Sequence, residues 1–217
     1  MESTTNGSEP GLVLVSWIVR AVILPATLLL VPGLAPGLRP DPLAAVRDAV
    51  RAALAELTGD GPLPLVLAHG PALRHGRLRP SLAGSGVGDR WLPRPAHGDL
   101  VPTVDDDVPR AGTGASVALL LLADVLGRRA AAVETLEVPD GALPPDGAEA
   151  ALLRDAHGLV VAGGGAPGGL DSGADALTDG VRAALRLAGA DLWRPHVQEF
   201  AQAHDHLPPA YRVTTLA

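Results

Sequence analysis

His69 combines a reactive side chain with a position in the sequence where chemistry is often found. Residues 63–68 (LPLVLA) predict a short strand, and His69 follows them directly. Ligands of open α/β sheets bind beyond the carboxyl ends of the strands, where an imidazole can hold a metal ion or move a proton. His75 and His97 lie in the following Gly-, Pro- and Arg-rich loop and could approach it. These three histidines are the candidate catalytic residues, and His69 is the candidate metal ligand. The competing interpretation of His69 is a hydrogen-bonded loop imidazole without a chemical role.

Other motifs have suitable residue types in less suitable surroundings. Gly163–Gly168 (GGGAPG) formally matches the dinucleotide pattern G-x-G-x-x-G, but Pro167 removes a backbone donor and the helix begins too late to meet a phosphate. His204–His206 (HDH) could chelate an ion if extended, but the prolines that follow favour a solvated turn. Asp105–Asp107 lack the alternating ligands and distal glutamate of a calcium loop. His157 lies at a predicted helix end, where the helix dipole accounts for it.

The composition narrows the classes of function. The 217-residue chain has a formal net charge of −7, which opposes nucleic-acid binding. All 17 of its basic residues are arginine, so a phosphate-binding loop with its lysine is excluded. The absence of cysteine excludes disulfides, thiolate metal sites and cysteine nucleophiles. It also fits a reducing compartment, so we expect a cytoplasmic protein without a nucleic-acid partner.

The long apolar run over residues 12–34 has the length of a membrane span. Arg20 lies near its middle, Pro25 and Pro32 interrupt helical hydrogen bonding, and the flank that precedes it is acidic rather than basic. These features oppose both a span and a signal peptide. We therefore predict a buried strand near residues 17–24, followed by an extended loop that the prolines impose.

Helix and strand patterns alternate along the rest of the chain. The segments with apolar residues at helical spacing are 41–59, 113–127, 146–158 and 172–189. For the first of them, Asp41 is the predicted N-cap and Gly59 the predicted end. Strands are predicted within residues 131–139 and 159–165. The C-terminal residues 191–217 predict a short helix followed by an extended tail.

This alternation is typical of an α/β layered sandwich, in which helices flank a central mostly parallel or mixed sheet. Residues 1–10 (MESTTNGSEP) are expected to form a disordered tail. Residues 11–217 are expected to form a single α/β domain.

The order of elements and four local stretches resemble one bacterial family. This is the LigB-like family of class III extradiol ring-cleavage dioxygenases, whose fold is shared with the Memo proteins. Residues 24–33 (LPATLLLVPG) resemble a family pattern x-P-H-P-P-L-L-V-P-E, with Ala26 at the histidine position. Residues 81–87 (SLAGSGV) resemble S-F-x-G-x-G-V, and residues 159–167 (LVVAGGGAP) resemble a strand followed by G-D-G/A-S-A, with Gly164 at the aspartate position.

The C-terminal residues 184–217 resemble the closing helix and tail of the same family. For active members the resemblance implies a non-haem Fe(II) held by two histidines and one carboxylate, with open positions for catechol and oxygen. It implies further that Ala26 stands where one ligand would be and that His69 occupies the second histidine position.

The resemblance therefore implies a protein without a functional iron site. We expect a non-catalytic binding or accessory protein with no metal and no cofactor. The alternative is a metal-dependent, ring-cleaving dioxygenase-like enzyme whose Fe(II) site is rebuilt from His69 and neighbouring His and Asp residues. The family implies association into homo-oligomers, whereas no membrane or nucleic-acid partner is expected, and the identity of a small-molecule ligand stays open.

Overall fold

A computed structural model of the chain describes residues 19–25, 27–34, 41–92, 107–141, 143–162, 177–204 and 207–217. The α-helices of this part are α1 (Ala44–Thr58), α2 (Thr113–Leu126), α3 (Ala148–Asp155) and α4 (Asp179–Leu187). The β-strands are β1 (Ala21–Leu24), β2 (Leu65–His69), β3 (Arg74–Gly76), β4 (Thr135–Val138), β5 (Leu159–Ala162), β6 (Pro195–Ala201) and β7 (Ala210–Leu216).

The described strands form one seven-stranded mixed sheet in the order β3-β4-β2-β5-β1-β7-β6. Its central strands β4, β2, β5 and β1 run parallel to one another. At one side β3 pairs antiparallel with β4, and at the other the β7–β6 hairpin pairs antiparallel with β1. The prediction of a layered α/β fold around a mostly parallel or mixed sheet is confirmed at this level.

The sheet separates two apolar cores because successive side chains of a strand point to opposite faces. In β5, Val160 and Ala162 face the core that α1 and α2 cover, whereas Leu159 and Val161 face the core that α3 and α4 cover. The chain thus passes from β1 through α1 to β2, and through α2 to β4, along one face. It then returns through α3 to β5 along the other face.

Helix α1 follows the apolar spacing and the C-terminal end that the sequence predicts, but not the predicted N-cap. Its buried residues follow the helical spacing that the sequence shows: Val46, Val50, Ala53, Leu54, Leu57 and Thr58. Gly59 ends the helix at a positive φ of 41°, as predicted. Asp41, however, is not the N-cap, since the helix begins at Ala44. Its carboxylate instead accepts a hydrogen bond from the N–H of Leu43 at 3.0 Å, within a turn that precedes the helix.

The apolar run near the N-terminus contributes β1 to the middle of the sheet, as predicted. The extended loop predicted after it is wrong in part, because Leu28–Leu30 form one 3₁₀ turn. The hydroxyl of Thr27 accepts the N–H of Leu29 at 3.3 Å, which starts this turn, and the turn carries Leu30 into the core. Among the described residues, no helix combines the length and the apolar character needed to cross a membrane.

The prediction for the C-terminal segment is wrong for the short helix, whereas the tail predicted to be extended is extended. Val197 and Phe200 are spaced as on one helix face, yet both belong to β6, and the predicted tail is β7. In β7, Tyr211 and Val213 point into the core beneath α1 and α2, while the strand pairs with β1. This long-range pairing decides the conformation, since strand formation depends on neighbours in the sheet more than on local preference.

Candidate functional site

The histidine singled out in the sequence lies at the carboxyl edge of the parallel strands. His69 is the last residue of β2 and stands beside Val138, the last residue of β4. Its Nδ1 is 3.8 Å from an oxygen of Asp140, just beyond β4. This Nδ1 atom is buried and has no hydrogen-bond partner among the described residues. The connections after β2 and β4 go to opposite faces of the sheet, and the carboxyl ends of strands arranged in this way are where α/β proteins bind ligands.

A buried carboxylate that the sequence analysis did not identify lies next to this position. Glu137, in β4, is completely buried. One of its oxygens accepts a hydrogen bond from the backbone N–H of Gly112 at 2.6 Å. The other oxygen accepts two hydrogen bonds from the guanidinium of Arg74, one from Nε–H at 3.0 Å and one from Nη2–H. The two glycines beside it leave the space that it fills: a Cβ on Gly70 would stand 2.8 Å from the Cβ of Glu137.

The Glu137 contacts join three elements at the site. Arg74 belongs to β3, Gly112 immediately precedes α2, and Glu137 itself belongs to β4. A buried carboxylate is tolerated when a cation and hydrogen bonds compensate it, and here a guanidinium and a helix-terminal N–H do so. The only sequence signal for this arrangement is a glutamate inside the apolar run TLEV, which ordinary alternation would place on an exposed face.

The structure places His75 with a different carboxylate. His75 is exposed on β3, and its Nε2 is 3.1 Å from an oxygen of Glu134. Glu134 precedes β4 whereas Asp140 follows it, so the acidic neighbours of His75 and His69 lie beyond opposite ends of a strand that is roughly 13 Å long. His97 lies outside the described residues.

The remaining motifs are not brought to this edge by any described contact. His157 is exposed, just past the end of α3, and Asp107 and His204 are exposed as well. Ala26, Asp105–Asp106, Gly163–Gly168 and 205–206 lie outside the described residues.

The segment SLAGSGV packs against the beginning of α2. The N–H of Ser81 donates to the hydroxyl of Ser116 at 2.9 Å, and the Ser81 hydroxyl donates to Asp89 at 2.7 Å. The hydroxyls of Ser85 and Thr113 are 3.0 Å apart. This segment therefore contacts the beginning of α2, next to Gly112, whose N–H donates to Glu137.

The donors described at the carboxyl edge do not complete an Fe(II) centre of two histidines and one carboxylate. His69 and Asp140 supply one imidazole and one carboxylate, while both oxygens of Glu137 are already bonded. Throughout the described residues, no group of three or more His, Cys, Asp or Glu side chains is arranged to hold a metal ion.

Among the described residues, a shallow depression between α1 and α2 is a further feature that could receive a ligand. Arg47 and Arg51 line it together with Asp124 and several apolar side chains. Burial lowers the pKa of Arg47, which donates to the carbonyl of Leu29 at 2.6 Å and pairs with Asp41. The hydrogen bond to Asp124, 3.0 Å long, raises the pKa of Arg51. Both guanidinium groups are thus already paired within the protein, which leaves little unmatched charge for an anionic ligand.

These observations define the class of the protein as a three-layer α/β protein with a cluster of polar side chains at the carboxyl edge of a mixed sheet. Comparisons with family models, with curated proteins and with solved structures find no match to this chain.

Proposed function

We propose that this chain is a non-catalytic binding or accessory protein on the scaffold of the LigB-like extradiol-dioxygenase family. The observation that carries the proposal is the set of donors at the carboxyl edge. It comprises His69 with Asp140, whereas Glu137 is tied to Arg74 and Gly112. The iron centre of active relatives requires a second imidazole, and Ala26 stands at that position of the family pattern.

The order of the strands supports this assignment of positions. Residue 26 comes two positions after the end of β1, and His69 ends β2, with β5 as the one strand between them. The ends of β1 and β2 are therefore roughly 10 Å apart, a span that two imidazoles could bridge through one ion. A methyl group at residue 26 supplies no ligand, and loss of one ligand sharply weakens a metal site.

The carboxyl edge retains groups that suit a polar small molecule. His69 keeps a small exposed part of its side chain although its Nδ1 atom is buried, and Asp140 offers an exposed carboxylate beside it. An imidazole can donate or accept, while a carboxylate accepts. A ligand with a hydroxyl or amide group matches this pair without any need for a metal ion.

Iron content and ring cleavage test the proposal directly. We expect the purified protein, reconstituted anaerobically with Fe(II), to hold far less than one equivalent of iron after desalting and to open no catechol ring. Stoichiometric iron together with ring opening that His69→Ala abolishes would overturn the proposal.

Restoring the missing imidazole is the sharper experiment. Ala26→His adds the second histidine of the family pattern, so we expect the affinity for Co(II), followed by its visible absorption, to rise on the order of tenfold or more. Ala26→His combined with His69→Ala should lose this gain, whereas Ala26→His combined with His75→Ala should keep it. A gain that is insensitive to His69 would contradict the assignment of these two positions.

The alternative, an enzyme with a rebuilt site, is favoured by one contact. The buried Nδ1 of His69 lies 3.8 Å from Asp140, and such a pair can orient an imidazole for proton transfer or metal binding. This alternative predicts a metal-dependent activity on a phenolic substrate that both His69→Ala and Asp140→Asn reduce by at least tenfold. The His75→Ala variant, whose partner is Glu134, serves as the matched control.

A further inference from the structure

Strand β6 forms a long and open edge of the described sheet. It is the outermost strand on its side, and six of its seven residues are exposed, since only Phe200 is partly buried. The opposite edge, β3, has only three residues and carries Arg74. Short, charged edges resist pairing with other chains, whereas long edges invite it.

The backbone groups of β6 that face away from the sheet follow from its pairing with β7. Arg194 and Ala217 exchange both of their backbone hydrogen bonds, and the N–H of Gln202 donates to Pro209. Because such pairs alternate along an antiparallel ladder, the even-numbered residues of β6 bond to β7. The N–H groups of Val197, Glu199 and Ala201 therefore point outward, together with the carbonyls of the odd-numbered residues.

This edge lacks the features that usually prevent pairing. The chain has no lysine to place there. The single proline of the strand, Pro195, stands at its first position, and the single acidic residue, Glu199, is bonded to Arg212 of β7 at 2.8 Å. No described strand lies against the outer side of β6.

We propose that β6 pairs antiparallel with β6 of a second copy of this chain, around a two-fold axis at Gln198. Symmetric dimers use the same surface on both copies, and the pairing continues the sheet from one copy into the other. In this register Val197 of one copy faces Glu199 of the other, and Pro195 faces Ala201.

Hydrogen bonding and charge both select this register. Val197 of one copy and Glu199 of the other exchange two hydrogen bonds through their outward N–H and carbonyl groups. The outward N–H of Ala201 donates to the carbonyl of Pro195 in the other copy. Pro195 has no N–H, so no donor at that position is left unpaired. An axis at Glu199 would place the two Glu199 carboxylates directly opposite each other, an arrangement that destabilises strand pairs. An axis at Val197 would place Pro195 opposite Glu199 and leave Ala201 beyond the paired strands.

A single introduced cysteine tests the register, because the chain has none of its own. At the proposed axis the two copies of residue 198 form a pair without backbone hydrogen bonds, about 4.5 Å apart between Cα atoms, which a disulfide can bridge. We expect Gln198→Cys to give a covalent dimer rapidly with oxidised glutathione. His196→Cys is the matched control: it is exposed on the same face, but its two copies would be roughly 14 Å apart. Equal or faster crosslinking of the control would overturn the register.

Charge variants at Val197 test the same contact without a crosslink. Sedimentation of the wild-type chain should reveal a reversible dimer of twice the 22.0 kDa chain mass. Val197→Glu places like charges opposite Glu199 at two symmetric positions and should weaken the dimer on the order of tenfold. Val197→Lys, at the same half-exposed site, places opposite charges there and should preserve or strengthen it. A wild-type chain that stays monomeric at all concentrations, or equal effects of the two variants, would overturn the proposal.

Discussion

At the scale of single residues, Glu137 is the most informative group in the molecule. Its carboxylate is completely buried, yet each oxygen has a donor, from Arg74 and from the N–H of Gly112. Arg74 retains about a third of its side-chain exposure, so the two members of the ion pair differ in their access to water. Because of this difference, substituting Arg74 and substituting Glu137 should lower the free energy of unfolding by different amounts.

We predict that the two members of this buried ion pair differ in how much their substitution destabilises the protein. Arg74→Met leaves a charged carboxylate buried without its cation, which we expect to lower the free energy of unfolding by about 3–5 kcal/mol. Glu137→Gln leaves Arg74 free to turn toward solvent and should cost less, about 1–3 kcal/mol. Urea unfolding at neutral pH measures both values.

The control for this pair is the exposed contact between Glu134 and His75. Glu134→Gln removes the exposed carboxylate that faces His75, and it should change stability by less than about 1 kcal/mol. If Glu134→Gln cost as much as Arg74→Met, the buried pair would not have the structural role described.

At the scale of elements, a glycine brings α4 into contact with the loop that carries Asp140. Gly180 lies in the first turn of α4, and a Cβ there would stand 1.9 Å from the carbonyl oxygen of Pro139. The atom in the way belongs to the backbone and cannot rotate aside. The close approach of α4 to the end of β4 therefore requires glycine at this position.

We predict that Gly180→Ala destabilises the protein despite the better helix propensity of alanine. Overpacking of this kind costs about 1–3 kcal/mol or more, and the shift of Pro139 should also move Asp140 relative to His69. Gly84→Ala is the matched control, since its Cβ would meet only the Thr113 hydroxyl at 3.5 Å, an ordinary contact. Thermal unfolding of both variants measures the difference, and similar melting temperatures would contradict the packing argument.

At the scale of the whole molecule, the sheet extends from a fully covered centre to an uncovered edge. Strands β2, β4 and β5 are almost entirely buried between the helix layers, whereas β6 is mostly exposed. Local opening is easiest where few apolar contacts hold an element. Backbone amides of the central strands should thus exchange with solvent most slowly, and those of β6 most rapidly.

Hydrogen exchange can distinguish the protection that β6 receives within one copy from the protection that dimer formation adds. In the weakened Val197→Glu variant, at low concentration, the inward amides of His196, Gln198 and Phe200 should be protected, while the outward amides of residues 197, 199 and 201 should exchange freely. At high concentration of the wild-type chain, the outward amides should become protected as well. Residue-resolved exchange by NMR provides the measurement, and outward amides that stay unprotected at every concentration would contradict the paired edge.

Much of the layered core was predictable because it depends on local periodicity. The spacing of Val46, Val50 and Leu54 indicates a one-faced helix, and the apolar runs of β1, β2 and β5 indicate strands buried on both faces. His69 could be placed at a strand end for the same reason, since a short apolar run precedes it.

Tertiary structure alone decided the features that depend on distant partners. Glu137 lies in a run that resembles an ordinary strand, and only Arg74, 63 residues away in the chain, explains its burial. Asp140 becomes the neighbour of His69 only because β4 pairs with β2. Residues 195–201 lie where the sequence indicates a short helix, yet their pairing with β7, which itself pairs with β1, makes them strand β6. Local side-chain patterns determine which faces of a helix or strand must be buried. Hydrogen bonds and ion pairs between remote segments determine which segment covers each face. The sequence does not encode the choice of the covering segment at any one position.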